Sequence, residues 1–365
     1  MTIPPEIDTP DIVIDLDILE RNIERMAAAV QDKGLTLRPH AKTHKIIEIA
    51  ARQMAAGAAG LTVATIGEAE VFADAGIDDI FIAYPLWMSP RKAERLRRLA
   101  STTRISVGVD SAAGAIMLGS SLGQVAGKVT VLVEIDSGHH RSGVRPEAAA
   151  AVAEAASHAG LQVAGVFTFP GHSYAPGMPA EAASQEQQAL RHAAESLAAA
   201  GLEATRRSGG STPTALLTEG STATEVRPGV YVFGDAQQLE LGRCAAEDIA
   251  LTIAVTVVSH HETAPNAPAR FIIDAGSKVL GSDRPAWATG FGRLIDHPDA
   301  RITALSEHHA TVEWPESRTR PALGDRLRVI PNHVCLAINL VDDVAVIRRG
   351  ALVERWNVAA RGRNK

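Results

Sequence analysis

Only two cysteines, Cys244 and Cys335, occur in 365 residues. That is too few for a disulfide framework and fits a reducing compartment. A surplus of positive charge is also missing, because 36 Lys and Arg stand against 42 Asp and Glu, a formal net charge of -6. Phosphate backbones reward dense basic runs, and the nearest approach to one is the scattered pairs between Arg91 and Arg98, so nucleic acid is not an expected partner. No apolar stretch reaches the roughly 20 residues needed to span a bilayer. The opening MTIPPEIDTP lacks both the basic and the apolar regions of a secretory leader. No membrane partner is therefore expected, and the cytoplasm is the expected compartment. Low-complexity tracts and solenoid repeats are absent as well.

What is present is a globular composition, 46% hydrophobic and 21% charged with mean hydropathy +0.03, and enough chain for a large barrel with an appendage. From Leu35 to about Asp235, short β-branched runs alternate with Ala-rich segments of helical period, the pattern of a parallel sheet covered by helices. The runs predict eight strands: Leu35–Arg38, Leu61–Thr65, Asp79–Ala83, Arg104–Val109, Val129–Ile135, Leu161–Thr168, Ala204–Ser208 and Gly229–Phe233. Helices are predicted over Asp17–Lys33, Lys45–Ala56, Pro90–Ala100, Arg145–His158 and Ala180–Ala199. Such units close into an α/β fold of the (β/α)8 TIM-like barrel type. After Leu241 the texture changes to strands separated by Gly, Pro and Asp turns, predicted at Ala250–Ser259, Arg270–Ile273, Ala310–Trp314, Asp325–Ile330, Val344–Arg348 and Leu352–Val358. The expected division is a barrel over 15–243 and a C-terminal all-β domain over 244–365, with a strand at Asp11–Ile14 bringing residues 1–14 to the latter.

In a barrel of this type the site lies at the carboxyl ends of the strands. After the first strand comes Arg38–Lys45, RPHAKTHK; after the fifth Asp136–Gly143, DSGHHRSG; after the sixth Pro170–Tyr174, PGHSY; after the seventh Ser208–Thr212, SGGST. Each alone is ordinary turn chemistry. Together they fall on one rim. In SGGST, Gly209 and Gly210 let backbone N–H groups approach an anion, while Ser208, Ser211 and Thr212 supply hydroxyl donors, and Tyr231 follows on the neighbouring strand. A lysine in a partly dehydrated barrel mouth loses some preference for its charged form, so the Lys42 amine can attack an aldehyde. A lysine opposite a phosphate cradle suggests a phosphorylated aldehyde as cofactor, and pyridoxal phosphate fits that description. In the β domain, His333 and Cys335 lie two apart; on a strand they would face the same way and present nitrogen and sulfur to one ion. Unaided, a small buried cysteine beside a satisfied histidine is the better explanation of the pair.

Taken in order, RPHAKTHK, DSGHHRSG, FPGHSY, SGGSTPT, EVRPGVYVFGD and PNHVC resemble the fold-type III pyridoxal-phosphate family that includes D-threonine aldolase and the eukaryotic-type D-serine dehydratase. The resemblance runs from Thr9-Pro10 to Arg361-Gly362. It implies an alanine-racemase-like barrel joined to a β domain in a head-to-tail homodimer, with Lys42 as the cofactor lysine and base and with Arg141 and Tyr174 near the pyridine ring. It also implies a divalent ion at His333 and Cys335, a spacing typical of D-serine and D-3-hydroxyaspartate dehydratases, where the aldolases carry His-x-Asp. A soft thiolate favours zinc, with manganese or magnesium as the alternatives. The implied reaction dehydrates D-serine, D-threonine or D-3-hydroxyaspartate to a keto acid and ammonia. Retro-aldol cleavage to glycine and an aldehyde is one alternative, and a non-catalytic cofactor carrier is the second. A racemase would need a second base on the opposite ring face, and no residue stands out for it. Asp274–Lys278, Ser306–His309, His40, His44 and His172 receive no assigned role.

Overall fold

The computed structural model describes residues 3–261, 269–315 and 319–365. Two compact units emerge, one made of Glu24–Lys42, Ile47–Gly229 and Gly362–Lys365, the other of the chain up to Ile23, Thr43–Ile46 and Val230–Arg361. Strand β1 (Asp11–Asp15) belongs to the second.

The first unit is the barrel. Its strands are β2 (Thr36–Leu37), β3 (Leu61–Val63), β4 (Asp79–Pro85), β5 (Arg104–Val109), β6 (Val129–Glu134), β7 (Gln162–Phe167), β8 (Arg206–Gly209) and β9 (Glu225–Val226). All neighbours are parallel, in the order β2-β9-β8-β7-β6-β5-β4-β3. The two ends of that order meet where the Thr62 N–H donates to the Pro39 carbonyl at 2.8 Å and His40 bridges Thr62. Helices start where a hydroxyl accepts an otherwise orphaned amide: Ser89 caps Pro90–Thr102 at the Lys92 N–H, and Ser111 caps Ala112–Leu122 at the Gly114 N–H. Pro90 costs nothing at its position, since a first-turn amide lacks an intrahelical partner anyway. Ala93, Leu96, Leu99 and Ala100 form the buried face of that helix.

The eighth strand departs from expectation. Gly229–Phe233 is apolar and β-branched enough to read as a strand, yet pairing with β2 and β8 is made by Glu225 and Val226. Pro228, two residues on, has no N–H to continue a ladder. The chain then turns through a short 3-10 segment, Val230–Val232, and the buried side chains serve packing rather than a sheet face.

The second unit is a twisted sheet of β10 (Leu251–His261), β11 (Ala269–Ile273), β12 (Gly292–Leu294), β13 (Arg301–Leu305), β14 (Ala310–Trp314), β15 (Arg326–Pro331), β16 (Asp343–Arg348) and β17 (Ala351–Asn357), together with β1. Its main path is β13-β14-β11-β10-β1-β16-β17, with β15 pairing β10 and β12. Within it β1 runs antiparallel to β10 and parallel to β16. Two of these strands escape sequence reading: β12 is three residues long, too short for a period, and the alternation of β13 is broken by a register shift between Ile302 and Ala304. The architecture is thus a parallel (β/α) barrel and a separate β-sheet domain. No described helix is long and apolar enough to cross a membrane.

Candidate functional site

In the barrel unit, Lys42 lies just past β2 in the short turn Ala41–Thr43, with its ammonium nitrogen 5.5 Å from the centre of the Phe169 ring. The Arg141 guanidinium stands over the same ring at 5.0 Å. Tyr174 lies beside it, centroids 6.3 Å apart, and His139 meets it edge-on at 5.8 Å. Phe169 is therefore the hub around which three rim loops gather. Sequence reasoning assigned it no role; the signal was an aromatic at the carboxyl end of β7, inside a motif already noted. The octet's other lysine is spent elsewhere: in the β unit, Lys45 is buried and donates to Asn339 at 2.8 Å.

Hydrogen bonds fasten the rim loops to one another. The Thr168 hydroxyl donates to the Ile135 carbonyl and reaches Ser137 at 2.8 Å, joining the loops after β6 and β7. Ser173 and Ser211 hydroxyls lie 2.9 Å apart, joining the loops after β7 and β8. His172 pairs with Gln185 at 2.8 Å, and a side chain at Gly171 would strike the His139 ring, so the close packing requires glycine. Beside Arg141, at 3.8 Å, is Glu134, buried and bonded to the Ser142 hydroxyl at 2.8 Å. Burial pushes its carboxyl above the usual range, against the opposing pull of Ser142 and Arg141. Asp136 goes the other way: burial raises it, but the His140 and Gly138 amides outweigh that and hold it low.

SGGST is arranged differently from the open cradle its glycines suggest. Ser208 faces the barrel interior, donating to Glu225 at 2.6 Å and accepting from Arg227 at 2.8 Å. The Gly210 N–H donates to Glu186, and the Ser211 N–H to Thr214 at 2.9 Å. Gly210 adopts φ +74° with Val226 close behind, a place for no other residue. The amides at 210 and 211 are thus engaged within the protein, and the Ser211 hydroxyl sits between those of Ser173 and Thr214. Below the rim, Arg38 pairs with Glu225 at 2.7 Å and Asp79 at 2.6 Å, while Arg206 reaches Glu225 at 3.2 Å. Burial alone would raise the Glu225 carboxyl, but Arg38 and Arg206 overcome it and keep it ionised. Burial brings Arg227 down to about 10, still charged at neutrality, above the faces of Phe167 and Phe81.

In the β unit, Tyr231 occupies the 3-10 turn and is 8% exposed. The metal pair is not on a strand. The ladder of β15 stops at Pro331, Asn332 is pinned by donating to the Asp283 and Gly290 carbonyls, and His333 becomes the cap of the helix Val334–Asn339. Cys335 falls in that helix's first turn, its sulfur 3.3 Å from the Thr43 hydroxyl. The two side chains still meet: burial pulls the His333 imidazole down, but Cys335 and Asp235 hold it well above its usual range. Asp235 takes His333 Nδ1 at 3.2 Å with one oxygen and caps Ala236–Glu240 through the other, at the Gln238 N–H. Sequence reasoning missed this orienting carboxylate, whose sign was an Asp ending EVRPGVYVFGD just before a helix. Elsewhere in this unit Asp274 accepts from Thr9 and Thr256, Lys278 pairs with Glu307, and His44 accepts the Ile46 N–H.

The donor sets can be tested against the groups they suggest. An amine and a guanidinium over one aromatic ring, with a hydroxyl cluster at the next loop, suit an aldehyde, a heteroaromatic ring and a phosphate. With Nδ1 of His333 facing Asp235, the other ligand-type atoms of the pair are Nε2 and the Cys335 sulfur. Among the described residues no group of three or more His, Cys, Asp and Glu is placed to hold a metal, and His333 with Cys335 supplies two donor atoms. Fold and rim together define a barrel enzyme of the kind that holds an aldehyde cofactor on a lysine.

The family model described as "Alanine racemase, N-terminal domain" matches residues 14–237, and "Putative serine dehydratase domain" matches 250–347. D-threo-3-hydroxyaspartate dehydratase of Delftia sp. strain HT23 is 38% identical over 355 residues, 90% of this chain and 91% of that protein. The solved structure of D-threonine aldolase from Filomicrobium marinum has a TM-score of 0.86 and 31% identity, covering 98% of this chain and 96% of that one. A metal-free cysteine-to-alanine variant of D-threo-3-hydroxyaspartate dehydratase has a TM-score of 0.87 and 34% identity, covering 98% and 99%. The chain belongs to the fold-type III pyridoxal-phosphate enzymes, in the family of D-threonine aldolase and D-serine dehydratase with an alanine-racemase-like barrel. It is a pyridoxal-phosphate-dependent lyase.

Proposed function

We propose that the chain is a metal-dependent dehydratase of D-β-hydroxy amino acids, converting D-serine, D-threonine or D-3-hydroxyaspartate to a keto acid and ammonia. The observation that carries this reading is the pairing of His333 with Cys335, aimed by Asp235. A dehydratase is 38% identical over nine-tenths of the chain, and a cysteine variant of that enzyme is known in metal-free form.

Pyridoxal phosphate, when bound, supplies a sink for the electrons left at the substrate's Cα. Lys42 Nζ holds the cofactor and then accepts the Cα proton. Arg141 and Tyr174 contact the ring. Ser211 and Thr212, on the backbone of Gly209 and Gly210, receive the phosphate, with Ser208 supporting them from the interior and Tyr231 as a further contact. Zinc, or failing that manganese or magnesium, is held by His333 Nε2 and Cys335 Sγ, and supplies positive charge where hydroxide must leave. In the proposed division of labour, 15–243 carries the cofactor and 244–365 the metal, in a homodimer measurable by light scattering.

The second reading, retro-aldol cleavage, is favoured by the 31% identity to the Filomicrobium aldolase over 98% of the chain. Incubation with D-serine, D-threonine and D-3-hydroxyaspartate separates the two. Ammonia and keto acid without glycine support dehydration; glycine and aldehyde without ammonia reject it.

A further inference from the structure

One buried titratable group in the barrel has no part in the proposed reaction. Glu186, on the helix Pro179–Ala199, is 0% exposed. One carboxyl oxygen accepts the Gly210 N–H; the other is buried with no hydrogen-bond partner among the described residues. The nearby Thr214 hydroxyl favours the ionised form of this carboxyl, against burial. Thr214 Oγ1 in turn accepts the Ser211 N–H at 2.9 Å and lies 3.1 Å from the Ser211 hydroxyl, which is 2.9 Å from Ser173. A Cβ at Gly209 would strike the same carboxyl, so the loop is packed directly onto it. The charged group facing it is Arg227, which is already engaged by Ser208 and the Thr168 carbonyl.

A carboxyl removed from water, with one oxygen left unsatisfied, is a costly way to fill space, and an apolar side chain would do that better. What an apolar side chain lacks is an acceptor for the Gly210 peptide and a partner for Thr214. Through these two, Glu186 sets both the direction of the Gly210 amide and the oxygen on which the Ser211 amide rests. The place of the Ser211 hydroxyl follows from them.

We propose that Glu186 is a positioning residue for phosphate recognition: it is the internal template that holds Gly210–Thr214 in the shape that turns the Ser211 and Thr212 hydroxyls to the cofactor's phosphate. This rests on the reading that the loop receives that phosphate. The test compares the affinities of the full-length protein, stripped of cofactor, for pyridoxal phosphate and for pyridoxal, which has the same aldehyde and no phosphate. In Glu186→Ala the preference for the phosphorylated ligand should fall by about tenfold while pyridoxal affinity moves by less than about threefold. Glu186→Gln, whose amide oxygen still accepts from Gly210, should restore most of the preference. Thr214→Val cuts the same relay and carries the same expectation should the alanine variant not fold. Equal weakening of both ligands, or an unchanged preference in these variants, overturns the assignment of Glu186. Ser211→Ala distinguishes the source of failure: if it too leaves the preference unchanged, the loop's phosphate reading falls and takes the inference with it; if it abolishes the preference while Glu186→Ala does not, Glu186 alone is wrong.

Discussion

The barrel unit and the β unit commit their candidate chemistry in different ways. In the barrel the groups come from four loops, three of which gather at one ring, Phe169, so each depends on how its loop is fastened: Thr168 to Ser137, Ser173 to Ser211, Gly210 to Glu186. In the β unit both donors come from three consecutive residues at the start of one helix, and a single carboxylate, Asp235, aims the imidazole while capping the helix that follows it. A convergent site can present many donors to a large cofactor, but it needs buried polar support. A local site needs little support and offers few donors.

Separate losses are the strongest consequence of that contrast. Lys42→Ala should remove the cofactor's borohydride-reducible absorbance and lower turnover by roughly 10³-fold or more, since it deletes both anchor and base. Metal content by atomic spectroscopy should stay that of the parent protein. Full turnover with retained colour would break the assignment of the barrel rim.

The converse substitutions come next. His333→Ala and Cys335→Ala should each abolish stoichiometric metal, keep the absorbance, and lower turnover by roughly 10² to 10³-fold, the several kcal/mol a metal contributes to a developing charge. Asp235→Asn leaves both donors and should weaken metal affinity by only about 10- to 100-fold. If chelation with EDTA removes the metal and leaves ammonia production unchanged, the β unit has no part in the chemistry.

The same contrast decides what could be read from the sequence. Barrel topology was legible because a period of strand and helix repeats many times, and the rim motifs because they follow strands whose ends are marked. Lys42, Arg141 and Tyr174 lie in such motifs, and the structure brings them to one ring. The Ser208 bonds to Glu225 and Arg227 were not legible, since its motif does not reveal which groups folding brings beside the end of β8. The strand proposed for His333 and Cys335 failed for a local reason: Pro331 ends the ladder and Asn332 pins the turn through side-chain bonds that leave no periodic trace. Glu186, Glu134 and the Arg38–Glu225–Arg206 cluster were invisible because their partners are 8 to 187 residues away, and only folding brings them together.

That cluster sharpens the comparison further, because it makes the barrel's support an electrostatic matter. Arg38 and Glu225 are 4% and 3% exposed. Arg38→Met leaves Glu225 with fewer cations in a buried place and should destabilise the barrel by about 3–5 kcal/mol in urea unfolding. The double variant Arg38→Met, Glu225→Gln should recover part of that loss, since neither charge is then stranded. Additive losses would mean the two side chains act independently.

Glu186 provides the finest comparison, since its effect on stability can be separated from its effect on ligand. Burial pushes its carboxyl to about 7, from an ordinary value of 4.5, against the opposing pull of the Gly210 amide and Arg227. The folded chain therefore favours the neutral form. Its contribution to stability is complete below the unfolded value near 4.5 and is lost as pH rises through 7, a fall of about 3 kcal/mol in all. Glu186→Gln has no such proton to lose. Measured by urea unfolding at pH 5 and pH 8, the parent protein should lose about 2.5 kcal/mol more across the interval than the glutamine variant does. Equal changes in the two proteins would mean that the carboxyl is already ionised in the fold at pH 5, and that a buried anion rather than a neutral acid lies beneath the loop.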